Sequence, residues 1–161
     1  MTTVDTAEDV AALRAQVRLL TDHAEVDRLC DRYVANLDQS RHDDSWFGSV
    51  FTDDIRMTFP MGEYTGLAGL AAFHEMARTT FERTHHMSAN HAIRLDGDSG
   101  VVRAHLTAVH LRAAAEPGAS FGIGGHYEAQ VRRTAQGWRI SRFAFDLVWR
   151  AGDPPGAAHP E

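Results

Sequence analysis

The apolar residues Val26, Leu29, Cys30, Tyr33, Val34 and Leu37 recur at i, i+3, i+4, i+7, i+8 and i+11, a spacing that lays one stripe along an α-helix. Asp38 follows Val34 by one helical turn. The spacing therefore predicts a carboxylate emerging at the buried end of the apolar face rather than in open water. Asp22, followed by Glu25, has the form of an N-cap for this helix. Upstream, Val10, Leu13, Val17 and Leu20 repeat in the same way behind a second cap signal at Thr6 and Asp9, which predicts a separate short lead helix over residues 1–20. The span 21–150 then reads as one domain, and the Gly/Pro-rich tail 151–161 as disordered.

Beyond Asp38 the period changes. Gln39–Asp44 is polar and loop-like, and Trp46, Phe47, Val50 and Phe51 bring the chain back to the core. Thr52–Phe59 alternates as a first strand and Pro60–Gly62 turns it. From Gly66 a further helix is predicted to about Phe81, with Leu67, Leu70, Ala71, His74, Ala77 and Phe81 on one face. Arg83–Leu95 reads as a strand that opens with two adjacent histidines, and the Asp/Gly-rich stretch to Gly100 turns the chain back. On the next strand Val102, Ala104, Leu106, Ala108 and His110 share one face, so His110 lines up with small apolar residues. Ala113–Gly118 is a predicted loop. Gly122, Gly124 and Gly125 mark a possible bulge before a strand whose Tyr127, Ala129 and Val131 look inward. In the last strand, Trp138–Trp149, the pairs Trp138/Ile140 and Phe143/Phe145 fall on opposite parities, which requires a bulge or two buried faces.

Composition narrows the chemistry. The 161 residues, 43% hydrophobic and 24% charged, fit a single globular domain. A formal charge of −6 with no Lys/Arg run argues against a nucleic-acid partner. The single cysteine, Cys30, excludes an internal disulfide and a thiolate metal cluster. Met1–Val10 lacks the features of a signal peptide and no apolar run reaches membrane length, so the expectation is a cytoplasmic protein with no membrane partner. Histidines are many for this length, and they cluster between His85 and His126. There is no H-E-x-x-H pattern, no Gly-rich phosphate loop between strand and helix, and no nucleophilic serine motif. No cofactor and no metal is expected, although His86, His110 and Asp38 could in principle make a two-histidine, one-carboxylate site.

Helices first, then strand, helix and a run of long antiparallel strands is the order of an α+β cone, a curved mixed sheet wrapped around N-terminal helices. Within that order stand Tyr33-Val-Ala-Asn-Leu-Asp38, Phe51-Thr-Asp-Asp-Ile55, Tyr64-Thr-Gly-Leu-Ala-Gly-Leu70, Thr84-His-His-Met87 and Gly137-Trp-Arg-Ile140. On these pieces the chain resembles the SnoaL-like group of the nuclear transport factor 2-like superfamily, in the branch that includes scytalone dehydratase, over roughly Asp22–Trp149. The resemblance implies a cystatin-like α+β barrel with an interior pocket, a small-molecule substrate, and a homo-oligomer, dimer or trimer. It also implies that an aspartate on the long helix and two cavity histidines, here Asp38, His86 and His110, carry the chemistry. The two tyrosines that hold water in the dehydratase correspond to Leu37 and Phe59, which cannot donate a hydrogen bond. Tyr33, Tyr64 or Tyr127 are left to supply a hydroxyl from another wall.

Proton removal beside a carbonyl needs a base and a donor for the oxygen on which charge builds. Two histidines can divide those roles, and a carboxylate on one imidazole fixes its tautomer. The expected assignment is Asp38 paired to His110 as general base, with His86 as donor, in a pocket bounded by Tyr33, Phe59, Tyr64, Leu106, Tyr127, Trp138 and Ile140. The expected function is a cofactor-independent dehydratase, isomerase or cyclase for a carbonyl-bearing aromatic or polyketide-like molecule. The alternative is a ligand-binding or dimerising domain, with Asp38 as a local cap and the histidines as satisfied core residues. His85, His91, His105 and His126 are expected on the other side of their strands.

Overall fold

The computed structural model describes residues 6–112 and 120–152. It opens with one continuous helix, α1 (Thr6–Gln39), of 34 residues, about 50 Å long. The expected break after residue 20 does not occur. Asp22, read as a cap, lies inside the helix, where its carboxylate accepts from Trp138 Nε1 at 3.3 Å and pairs with Arg133. A side chain engaged by distant partners cannot also cap its own backbone. Asp22 is the first buried residue of α1, and the stripe Val10, Leu13, Val17 and Leu20 before it is exposed.

From Val26 onward the apolar stripe of α1 packs on the sheet, with Val26, Leu29, Cys30 and Tyr33 buried. A single turn, α2 (Phe47–Val50), feeds β1 (Phe51–Phe59), and the Pro60 turn leads into a short strand, β2 (Gly62–Thr65), that was not expected between that turn and the following helix. Helix α3 (Gly66–Thr80) follows, then the long strands β3 (Arg83–Asp96), β4 (Ser99–Leu111), β5 (Ser120–Thr134) and β6 (Gly137–Ala151). The sheet runs β2-β1-β6-β5-β4-β3. Among the described residues only the β1–β6 pairing is parallel. The result is the expected α+β arrangement, with a mixed sheet packed on an N-terminal helix.

Among the described residues the ladders shift register at four places, one of them between Phe51 and Arg56 on the β1–β6 pair; the other three lie in the long antiparallel strands. Between Ala89 and Ala92 the β3–β4 register shifts, and Asn90 takes φ 60° there, a left-handed conformation that asparagine tolerates better than most residues. A second shift lies at Gly124/Gly125, as the glycines suggested. A third lies opposite Ser141, which is extra between Ile140 and Arg142. That bulge resolves the parity conflict of β6, because Trp138, Ile140, Phe143 and Phe145 are all buried. The predicted loop over 113–118, and all of the tail beyond Gly152, lie outside the described residues.

Candidate functional site

Asp38 stands in the last turn of α1, above the start of β3. Inward positions on a strand alternate, so Thr84, His86 and Ser88 all face the helix. Asp38 takes three hydrogen bonds from this strand. His86 Nδ1 lies 2.7 Å from Oδ1, the His86 backbone N–H donates to Oδ2 at 2.8 Å, and Thr84 Oγ1 donates to Oδ1 at 2.9 Å. Burial pushes the Asp38 carboxyl up, but the bonds from His86 and Thr84 outweigh it and hold the group below its ordinary value. A carboxylate only accepts, so Nδ1 of His86 carries a proton, and in the neutral ring the lone pair lies on Nε2. The side chains of His86 and Asp38 are 12% and 20% exposed, sheltered but not sealed.

His110 comes from β4, where Ala104, Leu106 and Ala108 on the same face are buried as the alternation predicted. Its ring stands 5.5 Å from that of His86 at 86° and 4.6 Å from that of Phe81. The expected Asp38–His110 pair is therefore corrected. Across the sheet His110 pairs with Phe121, and its Nδ1 donates to the Phe121 carbonyl at 3.2 Å. Thr84 faces His110 in register, so His86, two residues further along β3, is the histidine under the helix end. Burial, reinforced by the nearby His86, pulls His110 down from 6.5 to about 4. It is neutral at physiological pH, with a free Nε2 lone pair.

Two further groups flank the pair. Arg41, three residues past Asp38 in the stretch read only as loop, donates through Nη2 to the Phe81 carbonyl, while Nη1 is buried without a partner among the described residues. His74 on α3 is buried among Trp46, Phe47 and Phe73, and its Nε2 is unpartnered among the described residues. Burial lowers its pKa to about 4, with Arg78 and His86 adding to the shift. Arg78 itself is committed to Asp44 and Glu75 at 2.9 and 3.0 Å. Nothing in the residue pattern singles out Arg41; its burial does.

The lining residues expected from sequence separate into groups. Tyr33 is packed edge-on against Phe51 and Phe143, a core position. Phe59 and Tyr64 join Phe73 in an aromatic cluster. Leu106 lies opposite Ser88 on the inner face. Trp138 and Ile140 are corrected. Trp138 meets Asp22, sixteen residues before Asp38, or about 24 Å along the helix, and Arg133 lies 4.6 Å over its ring. Ile140 sits beside Phe51 in the fully buried core.

Tyr127 belongs to a second polar chain. Its hydroxyl is 2.9 Å from Ser88 Oγ, which is 2.7 Å from His91 Nε2, and His91 Nδ1 is 2.7 Å from Asp27. His91 was expected to face outward; the bulge at Asn90 turns it in, and its side chain is 8% exposed. His85, His105 and His126 do face outward. Among the described residues, no group of three or more His, Cys, Asp or Glu side chains is arranged to hold a metal ion.

A family model for the SnoaL-like domain matches residues 18–144. Among solved structures, a protein from Kribbella flavida superposes with a TM-score of 0.75 at 27% identity, over 83% of this chain and 95% of that one. A provisionally named scytalone dehydratase from Novosphingobium aromaticivorans superposes with a TM-score of 0.75 at 22% identity, over 88% and 93%. A hexachlorocyclohexane dehydrochlorinase (LinA, type 2) does so with a TM-score of 0.75 at 16%, over 88% and 99%; these last two share the fold. No curated protein sequence matches the chain significantly. The family match runs from the middle of α1 into β6 and spans the elements that carry Asp38, His86 and His110, and by it the chain belongs to the SnoaL-like domain family.

Proposed function

We propose that the chain is a cofactor-independent lyase or isomerase in which His86, oriented by Asp38, removes a proton beside the carbonyl of a small molecule. The observation that carries this reading is the double grip of Asp38 on His86, through Nδ1 and the backbone N–H. With Nδ1–H held on the carboxylate, Nε2 is the accepting atom, and the imidazolium formed on proton transfer is stabilised by the charge beside it. The C–H bond breaks, its proton moves to Nε2, and the electron pair moves onto the carbonyl oxygen. Expulsion of a group on the next carbon then completes an elimination; return of the proton to another carbon completes an isomerisation. Two structural neighbours bear the names of a dehydratase and a dehydrochlorinase, both eliminations, which supports the lyase half of this reading.

The test is deuterium exchange. Incubated in D2O with an enolisable aromatic ketone such as 2-tetralone, the protein accelerates loss of the α-proton signal in NMR, and His86→Ala and Asp38→Asn abolish the acceleration. Exchange unaffected by both substitutions refutes the proposal.

A specific observation also favours self-association, whether or not the site is catalytic. Met87, Val109, Leu111 and Trp149 are exposed on the sheet or its edge, a set of apolar side chains that a second copy of the chain would cover. Sedimentation of the purified protein, with Val109→Glu as the disrupting variant, tests it; a monomer at all concentrations overturns it.

A further inference from the structure

The Asp38–His86 pair answers where the proton goes but leaves open what receives the negative charge left on the substrate. The positions that correspond to the dehydratase's tyrosines hold Leu37 and Phe59, and the tyrosines themselves are engaged elsewhere: Tyr33 is enclosed by aromatic rings, Tyr64 packs with Phe59 and Phe73, and Tyr127 is held by Ser88. What remains beside the pair is a guanidinium. Arg41 is carried on the turn that follows α1, and its Nη2 is fixed to the carbonyl of Phe81, the residue that caps α3 through its own N–H to Ala77. The Phe81 ring packs against His110. Arg41 is thus anchored between the ends of both helices that bound the site.

Its second nitrogen has no partner among the described residues. Nη1 is buried, and a buried donor on a charged group is costly to leave unmade. Asp38, the nearby carboxylate, makes no contact ion pair with it; its Oδ1 accepts from Thr84 and His86 and its Oδ2 from the His86 backbone. The other candidate cation, Arg78, is already paired with Asp44 and Glu75. Arg41 therefore holds a charge that no contact ion pair among the described residues neutralises, close enough to act on both Asp38 and His110. Arginine stays protonated in proteins and presents its donors in a rigid plane.

We propose that Arg41 Nη1 is the oxyanion-binding group of this site, so that the occupant is a planar molecule that bears, or develops, negative charge on an oxygen: an enolate, or a phenolate that mimics one. This rests on the Asp38–His86 reading and adds the electrophilic half of it. As the proton passes to His86 Nε2, the pair released from the C–H bond collects on the substrate oxygen, where the fixed guanidinium stabilises it without reorganising. A neutral substrate gains this contact mainly in the transition state, which is where it accelerates the reaction.

The probe is 4-nitrophenol, whose anion is yellow and whose neutral form is not. At a pH where both forms exist in solution, the wild-type protein binds it as the anion, read by absorbance, and binds the neutral analogue 4-nitroaniline more weakly. Arg41→Gln lowers affinity for the anion by at least about tenfold, the loss of one charge-assisted hydrogen bond, and the bound probe becomes neutral. Arg41→Lys keeps the charge and retains part of the affinity, and melting curves report whether each variant is folded. Should Arg41→Gln not fold, the ionised fraction of probe bound to the wild type and its preference over 4-nitroaniline decide the matter. Equal affinity of folded Arg41→Gln and wild type, or a wild type that prefers the neutral compound or binds neither, overturns the assignment. Asp38→Asn separates this result from the proton-transfer reading: it removes a negative charge, so it keeps or strengthens anion binding while deuterium exchange is lost.

Discussion

The imidazoles of His86 and His110 stand edge to face, 5.5 Å apart at 86°, although they come from different strands and have opposite surroundings. His86 is tied to a carboxylate and His110 to a backbone carbonyl in an apolar setting. The pair is consequently asymmetric. Removing His86 or its partner Asp38 should cost about 10²–10⁴ in the rate of proton abstraction, the usual contribution of a positioned base. His110→Gln, which keeps a hydrogen-bonding side chain, should cost far less. Rates of α-deuterium exchange for the three variants check the order, and an equal loss for His110→Gln contradicts it.

Acid should destabilise the fold before the carboxylates titrate. Burial pulls both His74 and His110 to about 4 from the ordinary 6.5. Between those values the unfolded chain binds a proton at each site that the folded chain refuses. The stability they contribute is therefore full above pH 6.5 and is lost as pH falls toward 4. Melting temperature should drop by several degrees across this window, and less steeply in His74→Phe. A flat profile from pH 7 to pH 4.5 would sink the prediction.

Two glycines three residues apart in β5 should respond differently to a methyl group. A Cβ on Gly125 would overlap the backbone carbonyl of Asp146, which can move only if β5 and β6 part; one on Gly122 would meet the Trp149 ring at 3.4 Å. Gly125→Ala should lose about 2–4 kcal/mol, while Gly122→Ala should stay within about 0.5 kcal/mol. Urea unfolding of the two variants measures the difference.

The contact of Asp22 with Trp138 and Arg133 ties the first buried turn of α1 to the β5–β6 hairpin. Arg133, then Trp138, hold the Asp22 carboxyl below its usual range despite some burial. Asp22→Ala should cost about 1–2 kcal/mol and shift the fluorescence of Trp138, without altering deuterium exchange at the distant Asp38 site.

Much of this architecture is legible in the residues. Periodicity places Val26–Leu37 on one helix face and Val102–His110 on one strand face, and that suffices to send Asp38 and both histidines inward. Alternation assigns a face but no neighbour across the sheet, which is why His110 rather than His86 looked like the partner of Asp38. Bulges are the other blind spot. The extra residue at Asn90 reverses the side on which His91 falls, and Ser141 reconciles the two halves of β6. Asp22 offered a cap signal that a tertiary contact overrode, and the placement of Trp138 followed that contact away from the site. Arg41 was hidden because a lone arginine in a polar loop carries no pattern; only its burial distinguishes it.

The unbroken course of α1 makes angular phase a functional quantity. Each residue turns the helix by about 100°, so one uncharged amino acid inserted between Tyr33 and Asp38 would leave the net charge unchanged yet swing the carboxylate a quarter-turn or more away from His86. Conversely, length may be added freely ahead of Thr6, upstream of the stretch that aims it. Tolerance to insertion should accordingly fall off a cliff partway along a single, featureless-looking rod.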